Sequence, residues 1–206
     1  MELEQGLEIH HNGDLPARAG LGSSSSFAVG ILHAFHALKG EMVSKTQLAN
    51  EAIYLEQILL QENVGIQDQI TAAFGGFNTV NIDPGGNFQV NPIPIAPGRL
   101  RELESHLMLF YTGISRTASE IAKQQIEAIP DKTPTLHEMA AMVPQAVDVL
   151  TGGGDIKEFG RMLHETWLLK RSITPSISNS EIDELYNNAR AAGAIGGKLL
   201  GAGGGG

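Results

Sequence analysis

The sequence predicts an α/β fold in two parts, from three observations. Apolar residues make up 42% of the 206 residues, which is enough for a packed core. Segments with the apolar spacing of helices alternate with short strand-like runs along the chain. A proline-rich stretch, residues 92–98, interrupts both patterns, because proline fits neither a central strand nor a helix interior. We therefore expect two domains, residues 1–98 and residues 99–206.

The sequence of the first domain predicts a short strand followed by helices. Residues 7–11 read as the strand, and apolar residues at helical spacing predict a helix over 27–38. Ser44 has the spacing of a capping box with the residues after it, and it opens a second helix that stops near Gly65. A short helical turn is expected at 67–74.

A hairpin and a second group of helices come next. Strand-like runs at 77–82 and 88–93 flank Asp83-Pro84-Gly85-Gly86, which is a turn sequence. Beyond the proline-rich stretch, apolar spacing and acid-containing caps predict a strand, helices and a final strand. These elements are expected at residues 107–111, 117–129, 135–151, 155–171, 180–192 and 195–200.

The composition excludes several classes of partner and site. Lys and Arg number 14 and Asp and Glu number 23, and this net charge of −9 argues against nucleic acid or an anionic membrane as a partner. The absence of cysteine excludes disulfides and cysteine-based zinc sites, and it fits a cytoplasmic protein.

No apolar run reaches the ~18 residues of a membrane span, and Met1–Glu4 lacks the features of a signal peptide. The final glycine run, Gly203–Gly206, looks cut rather than finished.

The sharpest candidate for a binding site is a glycine–serine loop between a strand and a helix. Glycine lets the backbone approach a ligand closely, and the free N–H groups at the start of the next helix attract an anion such as phosphate. Four successive serine hydroxyls add donors and candidate magnesium ligands. A serine-rich cap on a buried helix is the alternative. The loop residues are Gly20, Leu21, Gly22, Ser23, Ser24 and Ser25.

Two acidic residues stand out by their surroundings. Glu56 lies within an apolar stripe, where a carboxylate destabilises the fold unless it is paired, metal-bound or near water. Asp68 lies between a helix end and a segment of small residues. One acid could hold a metal while the other orients a nucleophile. The alternatives are a helix rotated so that Glu56 faces solvent, and an Asp68 that only caps a turn.

Several basic residues are weaker candidates for a binding site. Arg116 follows Thr112 in the loop between a predicted strand and a predicted helix, and such loops often line binding or catalytic sites. Lys170 and Arg171 stand at a helix end, where a cation favours the helix dipole. His36 has no third metal ligand at useful spacing, so it is expected to pack or to face solvent.

Three segments resemble motifs of the GHMP small-molecule kinases. They occur in the same order and at the same spacing as in that family, along essentially the whole chain. Pro16–Ser25 resembles the phosphate loop of that family, Gly65–Gln69 its catalytic-aspartate segment, and Lys198–Gly206 its third glycine motif. Within the family, Leu109–Arg116 and Ile177–Asp183 resemble the heptose 7-phosphate kinases. The resemblance implies two α/β lobes with the site between them. The first would be a partial lobe like ribosomal protein S5, and the second a ferredoxin-like, helical lobe.

The resemblance also implies roles for single residues. The glycine–serine loop would bind the phosphates of ATP, and Asp68 would accept or orient the proton of the sugar hydroxyl. Glu56 would hold Mg²⁺ together with Ser23 or Ser24. The third glycine motif would pack beside the loop through Gly201, Ala202, Gly203 and Gly204.

The expected activity is transfer of the γ-phosphoryl group of ATP to the anomeric hydroxyl of a heptose 7-phosphate. Thr112 and Arg116 are the expected contacts to the sugar phosphate. A further motif begins the family's chains and has no match here, and the end of the second lobe is also missing. The alternatives are another sugar kinase of the family, such as one like galactokinase, or a truncated, non-catalytic nucleotide-binding fragment.

Overall fold

The computed structural model describes residues 6–14, 20–114 and 118–205. Its helices are α1 (Ser23–Leu38), α2 (Lys45–Tyr54), α3 (Gln67–Phe74), α4 (Pro97–His106), α5 (Ala118–Thr151), α6 (Lys157–Arg171) and α7 (Ser180–Ala191). Its strands are β1 (Asn78–Ile82) and β2 (Phe88–Pro92). A π-helical segment, Leu55–Leu59, continues α2, and a 3₁₀ turn, Pro175–Ile177, lies between α6 and α7. Among the described residues, no helix combines the length and the apolar character that crossing a bilayer requires.

The helices of the first half form one packed group. Ser44 caps α2 by accepting a hydrogen bond from the Gln47 N–H at 3.1 Å. Gly40, with a φ of 71°, follows the end of α1 in the left-handed conformation that glycine favours. The start of α2 and the end of α1 are therefore confirmed by their caps. The other two boundaries were wrong: α1 begins at Ser23 rather than at residue 27, and the second helix ends with the π-helical segment at Leu59 rather than near Gly65. The buried core of the group consists of Ala28, Val29, Leu48 and Ala52.

The predicted hairpin is also confirmed. β1 and β2 pair antiparallel, with Asn78 opposite Pro92 and Ile82 opposite Phe88. The Asp83 carboxylate closes the turn, because it accepts hydrogen bonds from the backbone and side-chain nitrogens of Asn87, both at 2.9 Å. This hairpin forms the only sheet in the part of the chain that the structure describes.

The helices of the second half pack around Trp167, whose side chain is 1% exposed. A separate apolar cluster joins α4 to the end of α5 and to the residue before α6, through Leu103, Leu150 and Ile156. Arg99 of α4 strengthens this contact by donating to the carbonyls of Val149 and Gly154, both at 2.8 Å. α4 therefore belongs with the second half by packing, while the division at residue 98 stays a proposal.

Two helix predictions of the second half were wrong. The helices expected at 117–129 and 135–151 are one continuous helix, α5, which contains Pro130, Pro134 and Pro144. Pro134 cannot donate to the Pro130 carbonyl, and the Thr133 hydroxyl before it donates to the Ile129 carbonyl at 2.9 Å. α4 was not predicted at all, although Pro97 stands in its first turn, where proline is tolerated.

Three predicted strands were also wrong. Residues 7–11, 107–111 and 195–200 are described and have no regular structure. A strand exists only where a neighbour completes its hydrogen bonds, and periodicity along the chain does not reveal that neighbour. Within the described ranges, none of the three segments has a strand beside it.

Candidate active site

The glycine–serine loop leads directly into α1, as the sequence predicts. Gly20 has a φ of 71° and Gly22 a φ of 68°, so both adopt the left-handed conformation that only glycine enters readily. Gly22 is the residue before the helix, and its carbonyl accepts the Ser26 N–H at 2.9 Å. The first N–H groups of α1 have no partner within the helix and point toward the loop, which is the arrangement that attracts phosphate.

Asp68 lies against this loop. A Cβ atom built on Gly22 would stand 3.4 Å from the Asp68 carboxyl carbon and 3.4 Å from its Oδ2. Asp68 is in the first turn of α3, so it lies next to Gly22 in space although the two residues are 46 positions apart in sequence. Burial raises the pKa of the Asp68 carboxyl above its ordinary value, and the nearby charge of Glu56 raises it further. A carboxyl with a raised pKa takes up a proton more readily, as a general base must.

Glu56 is buried, with 4% of the residue exposed. The prediction of an inward-facing acid is therefore confirmed, and the rotated helix is excluded. The π-helical turn contributes to this orientation, because its wider winding shifts residues around the helix axis and such turns are frequent at functional sites. The Ser25 hydroxyl donates a hydrogen bond to Glu56 Oε2 at 2.7 Å.

The loop serine that contacts Glu56 is thus Ser25, while Ser23 and Ser24 are exposed. No group of three or more His, Asp or Glu side chains in the described ranges could hold a metal ion by itself. Carboxylate and hydroxyl oxygens are nevertheless the ligands that Mg²⁺ prefers, and Mg²⁺ commonly takes only one or two protein carboxylates beside the phosphates of a substrate. The donors present therefore fit Mg²⁺ bound with a nucleotide.

The third glycine motif packs beside the loop, which confirms the expected contact. A Cβ atom built on Gly201 would stand 3.2 Å from the Gly20 Cα. The buried ammonium of Lys170 supports this contact, because it donates to the Gly201 carbonyl at 2.6 Å and to the Leu199 carbonyl at 3.4 Å. The Gly204 N–H donates to the Ile177 carbonyl at 2.6 Å, so a second part of the motif is held as well.

The structure describes only one of the two expected sugar-phosphate contacts, Thr112, and this residue lies near the third glycine motif. A Cβ atom built on Gly205 would collide with the Ile114 carbonyl, so the segment around Ile114 passes directly by the motif. The Thr112 hydroxyl, two residues earlier, accepts the Ile114 N–H at 3.2 Å and thereby shapes the turn. Arg116 lies outside the described residues.

The other basic candidates have partners of their own. Arg171 donates to Asp183 at 2.9 Å and lies over the Trp167 ring, 5.7 Å from its centre. Lys170 binds the glycine motif as described above, which is a role that its place at a helix end did not suggest. His36 is buried between Glu41 and Glu51, at 3.0 and 2.7 Å. The hydrogen bond that His36 donates to the Glu51 carboxylate is the largest influence that raises the pKa of His36.

Sequence reasoning missed one residue of the site entirely. Gln69, next to Asp68, is fully buried and donates a second hydrogen bond to Glu56 Oε2. A glutamine beside a candidate catalytic acid has no spacing pattern that would mark it. The only available signal was its place inside the segment Gly65–Gln69.

Comparison with known proteins links this site to enzymes. Residues 1–76 match the family model described as the GHMP kinases N terminal domain, and residues 142–206 match the one described as GHMP kinases C terminal. The D-glycero-alpha-D-manno-heptose 7-phosphate kinase of Campylobacter jejuni is 32% identical over 202 residues, which are 97% of this chain and 59% of that protein. The mevalonate kinase of Pyrococcus horikoshii is 30% identical over 98% of this chain and 58% of that protein.

A solved structure agrees with these relatives. The crystal structure of a D-glycero-D-manno-heptose 1-phosphate kinase from Bacteroides thetaiotaomicron is 31% identical and superposes with a TM-score of 0.61, over 92% of this chain and 53% of that one. The mixed helix and strand fold expected from the sequence is therefore confirmed. The chain spans less than two thirds of the length of these relatives, about 59% in the case of the Campylobacter protein.

Proposed function

The chain belongs to the GHMP kinase family, and from that premise we propose that it is an ATP-dependent sugar kinase acting on a heptose 7-phosphate. One observation carries the proposal. Three segments that are distant in sequence meet at one place: the loop at Gly20 and Gly22, the carboxylate of Asp68, and the glycine motif at Gly201. An anion-binding loop beside a carboxylate is what phosphoryl transfer requires, since this chemistry depends on alignment and charge stabilisation.

The loop binds the phosphates of ATP in this proposal. The backbone N–H groups of Ser23, Ser24 and Ser25 point into the space that the left-handed turns of Gly20 and Gly22 keep open. The third glycine motif lies behind Gly20, so it holds the loop in the conformation that receives the phosphates.

Asp68 acts as the base on the attacking hydroxyl. Its carboxylate is within van der Waals distance of a side chain built on Gly22, so it lies against the loop that would bind the phosphates. The raised pKa of Asp68 makes it a better proton acceptor once ionised. A positioned base typically contributes about 10²–10⁴-fold to the rate.

Glu56 holds the magnesium ion, together with a hydroxyl of Ser23 or Ser24. When bound, Mg²⁺ would neutralise the charge that develops on the β- and γ-phosphates. Glu56 is already buried at the loop, and its Oε2 is occupied by Ser25, so the carboxylate is held in one orientation.

The sugar assignment rests on the subgroup segments and on the relatives. Two of the compared proteins are named as heptose phosphate kinases, and both are above 30% identical. A heptose 7-phosphate is a dianion, and a protein with a net charge of −9 needs a local cation to bind it. We assign this role to Arg116, with Thr112 as the second expected contact, since Lys170 and Arg171 already bind other groups.

Two other functions have specific support. A mevalonate kinase is 30% identical over almost the whole chain, so the acceptor could be a different small alcohol. A non-catalytic nucleotide-binding fragment is the other alternative, because nucleotide binding alone needs only the loop at Gly20 and Gly22. We place the protein in the cytoplasm, where ATP and sugar phosphates occur and where a chain without cysteine is at no disadvantage.

Calorimetric titration with Mg·ATP and a coupled ADP-release assay separate these functions. Release of ADP that depends on heptose 7-phosphate, and exceeds that with mevalonate or galactose, supports the proposal. Turnover with mevalonate or galactose instead would change the substrate and keep the kinase. Binding of Mg·ATP without turnover on any acceptor would support the non-catalytic fragment.

A further inference from the structure

Gln69 is a fully buried polar side chain whose hydrogen bonds are only half satisfied. Its Nε2 donates to Glu56 Oε2. Its Oε1 is also buried, and it accepts no hydrogen bond within the described part of the chain. Buried polar atoms without a partner are rare in folded proteins, and those that occur need an explanation.

The orientation of the Gln69 amide is decided by Glu56. Turning the amide over would bring Gln69 Oε1 against the Glu56 carboxylate, so two acceptors would face each other. The unsatisfied Oε1 is therefore the consequence of pointing Nε2 at Glu56. A polar residue kept in a destabilising position beside a site is expected where function, rather than packing, determines the residue.

The two donors to Glu56 leave one of its oxygens available. Ser25 and Gln69 both donate to Oε2, one from the loop side and one from α3. No donor in the described ranges reaches Oε1. A carboxylate held by one oxygen in this way presents the other oxygen in a fixed direction, as the supporting residues around metal ligands do.

Gln69 also joins two structural elements of the site. Glu56 lies on the π-helical segment, and Gln69 lies on α3 directly after Asp68. The hydrogen bond between them sets how far the candidate metal ligand stands from the candidate base. A change in that distance would alter the repulsion that already raises the pKa of Asp68.

We propose that Gln69 is the positioning residue for the magnesium site: it holds Glu56 Oε2 so that Oε1 is presented to the ion. The inference rests on the proposed kinase function and extends it to a residue that contacts neither ATP nor the sugar. Gln69 acts only through Glu56, so its loss affects metal binding before it affects the acceptor.

The test compares Q69L with a matched control, Q57L. Gln57 is a half-buried glutamine one position after Glu56, and its Nε2 donates to the Val64 carbonyl at 2.8 Å without contacting the carboxylate. Both variants of the full chain are assayed for the Mg²⁺ concentration that gives half-maximal rate and for the KM of the sugar. Binding of Mn²⁺ in the presence of ATP, followed by electron paramagnetic resonance, gives a readout that does not depend on turnover.

We expect Q69L to weaken Mn²⁺ binding and raise the Mg²⁺ requirement by about tenfold or more, the lower end of the effect that supporting residues have at metal sites. The sugar KM should stay within about threefold, and Q57L should resemble the wild type in metal binding. If Q69L does not fold, Q69N replaces it, because the shorter amide cannot reach Glu56 from the same backbone position.

Several results would overturn the inference, and they are distinguishable. A wild type that binds Mn²⁺ with ATP and turns over sugar, beside a Q69L that matches Q57L, would remove the role of Gln69 alone. A wild type without nucleotide-dependent Mn²⁺ binding or turnover would remove the proposed function, and this inference with it. If neither Q69L nor Q69N folds, Gln69 has a structural role and the positioning role is rejected.

Discussion

Substituting Gly201 by alanine tests whether the third glycine motif holds the phosphate loop. Gly201 has a φ of 66°, which an L-residue adopts at a cost of about 1–2 kcal/mol. The added Cβ would also stand 3.2 Å from the Gly20 Cα and 3.3 Å from the Gly20 carbonyl oxygen. Both neighbours are backbone atoms of the loop, so relief requires the motif and the loop to move apart by a few tenths of an ångström.

Gly40 provides a matched control. Its φ of 71° imposes nearly the same backbone strain, but a Cβ there would meet nothing within 4 Å. G40A should therefore lose only the stability that the backbone strain costs, while G201A carries the same strain and in addition disturbs the loop. We expect G201A to weaken Mg·ATP binding about tenfold, which corresponds to ~1.4 kcal/mol, and G40A to stay within about twofold of the wild type.

Calorimetric titration gives the affinity, and thermal unfolding in the absence of nucleotide gives the shared loss of stability. Equal ATP affinity in G201A and G40A would refute the reasoning, because the contact with Gly20 would then have no effect on the nucleotide site. A G40A that loses ATP affinity as strongly as G201A would show that general destabilisation, and not the loop, causes the loss.

Two further predictions concern charge. The pKa of His36 is raised in the folded state, so the bonds of His36 to Glu41 and Glu51 stabilise the fold fully below the ordinary histidine pKa and lose this effect as the pH rises through the raised value. The melting temperatures of the wild type and H36Q should therefore differ most near about pH 6 and converge at higher pH. A difference that stays constant with pH would contradict this. R116A should raise the KM for the 7-phosphate sugar at least about tenfold and leave that for ATP within about threefold; an equal loss for the unphosphorylated sugar would show that Arg116 holds the fold or the ring.

The parts of the fold that were predictable from the sequence are those with local causes. The Ser44 cap and the turn at Asp83 act within four residues of their own positions, and both stand where the sequence places them. The predictions of strands at 7–11, 107–111 and 195–200 failed because a strand depends on a partner elsewhere in the chain. The continuous α5 was missed because proline predicts a helix break, whereas this helix continues through Pro130, Pro134 and Pro144.

Some features of the candidate site could likewise be predicted from the sequence, and others could not. Motifs marked the loop and Asp68, and the inward position of Glu56 could be suspected from its apolar neighbours. The contact with Ser25 rather than Ser23 or Ser24 could not, because it depends on the rotation of α1 and of the π-helical turn. Gln69 carries no periodic or motif signal, so only the three-dimensional contact reveals its part in the site.

The most direct test of the account is the rate of heptose 7-phosphate-dependent ADP release by the wild type and by D68N. The substitution is nearly isosteric and removes the base, so ATP affinity should be retained while kcat falls by about 10²-fold or more. In the wild type, kcat should also fall with decreasing pH at a higher pH than an ordinary aspartate would give, because burial and Glu56 raise the pKa of Asp68. A loss of less than about tenfold in D68N would contradict the role of Asp68 as the base.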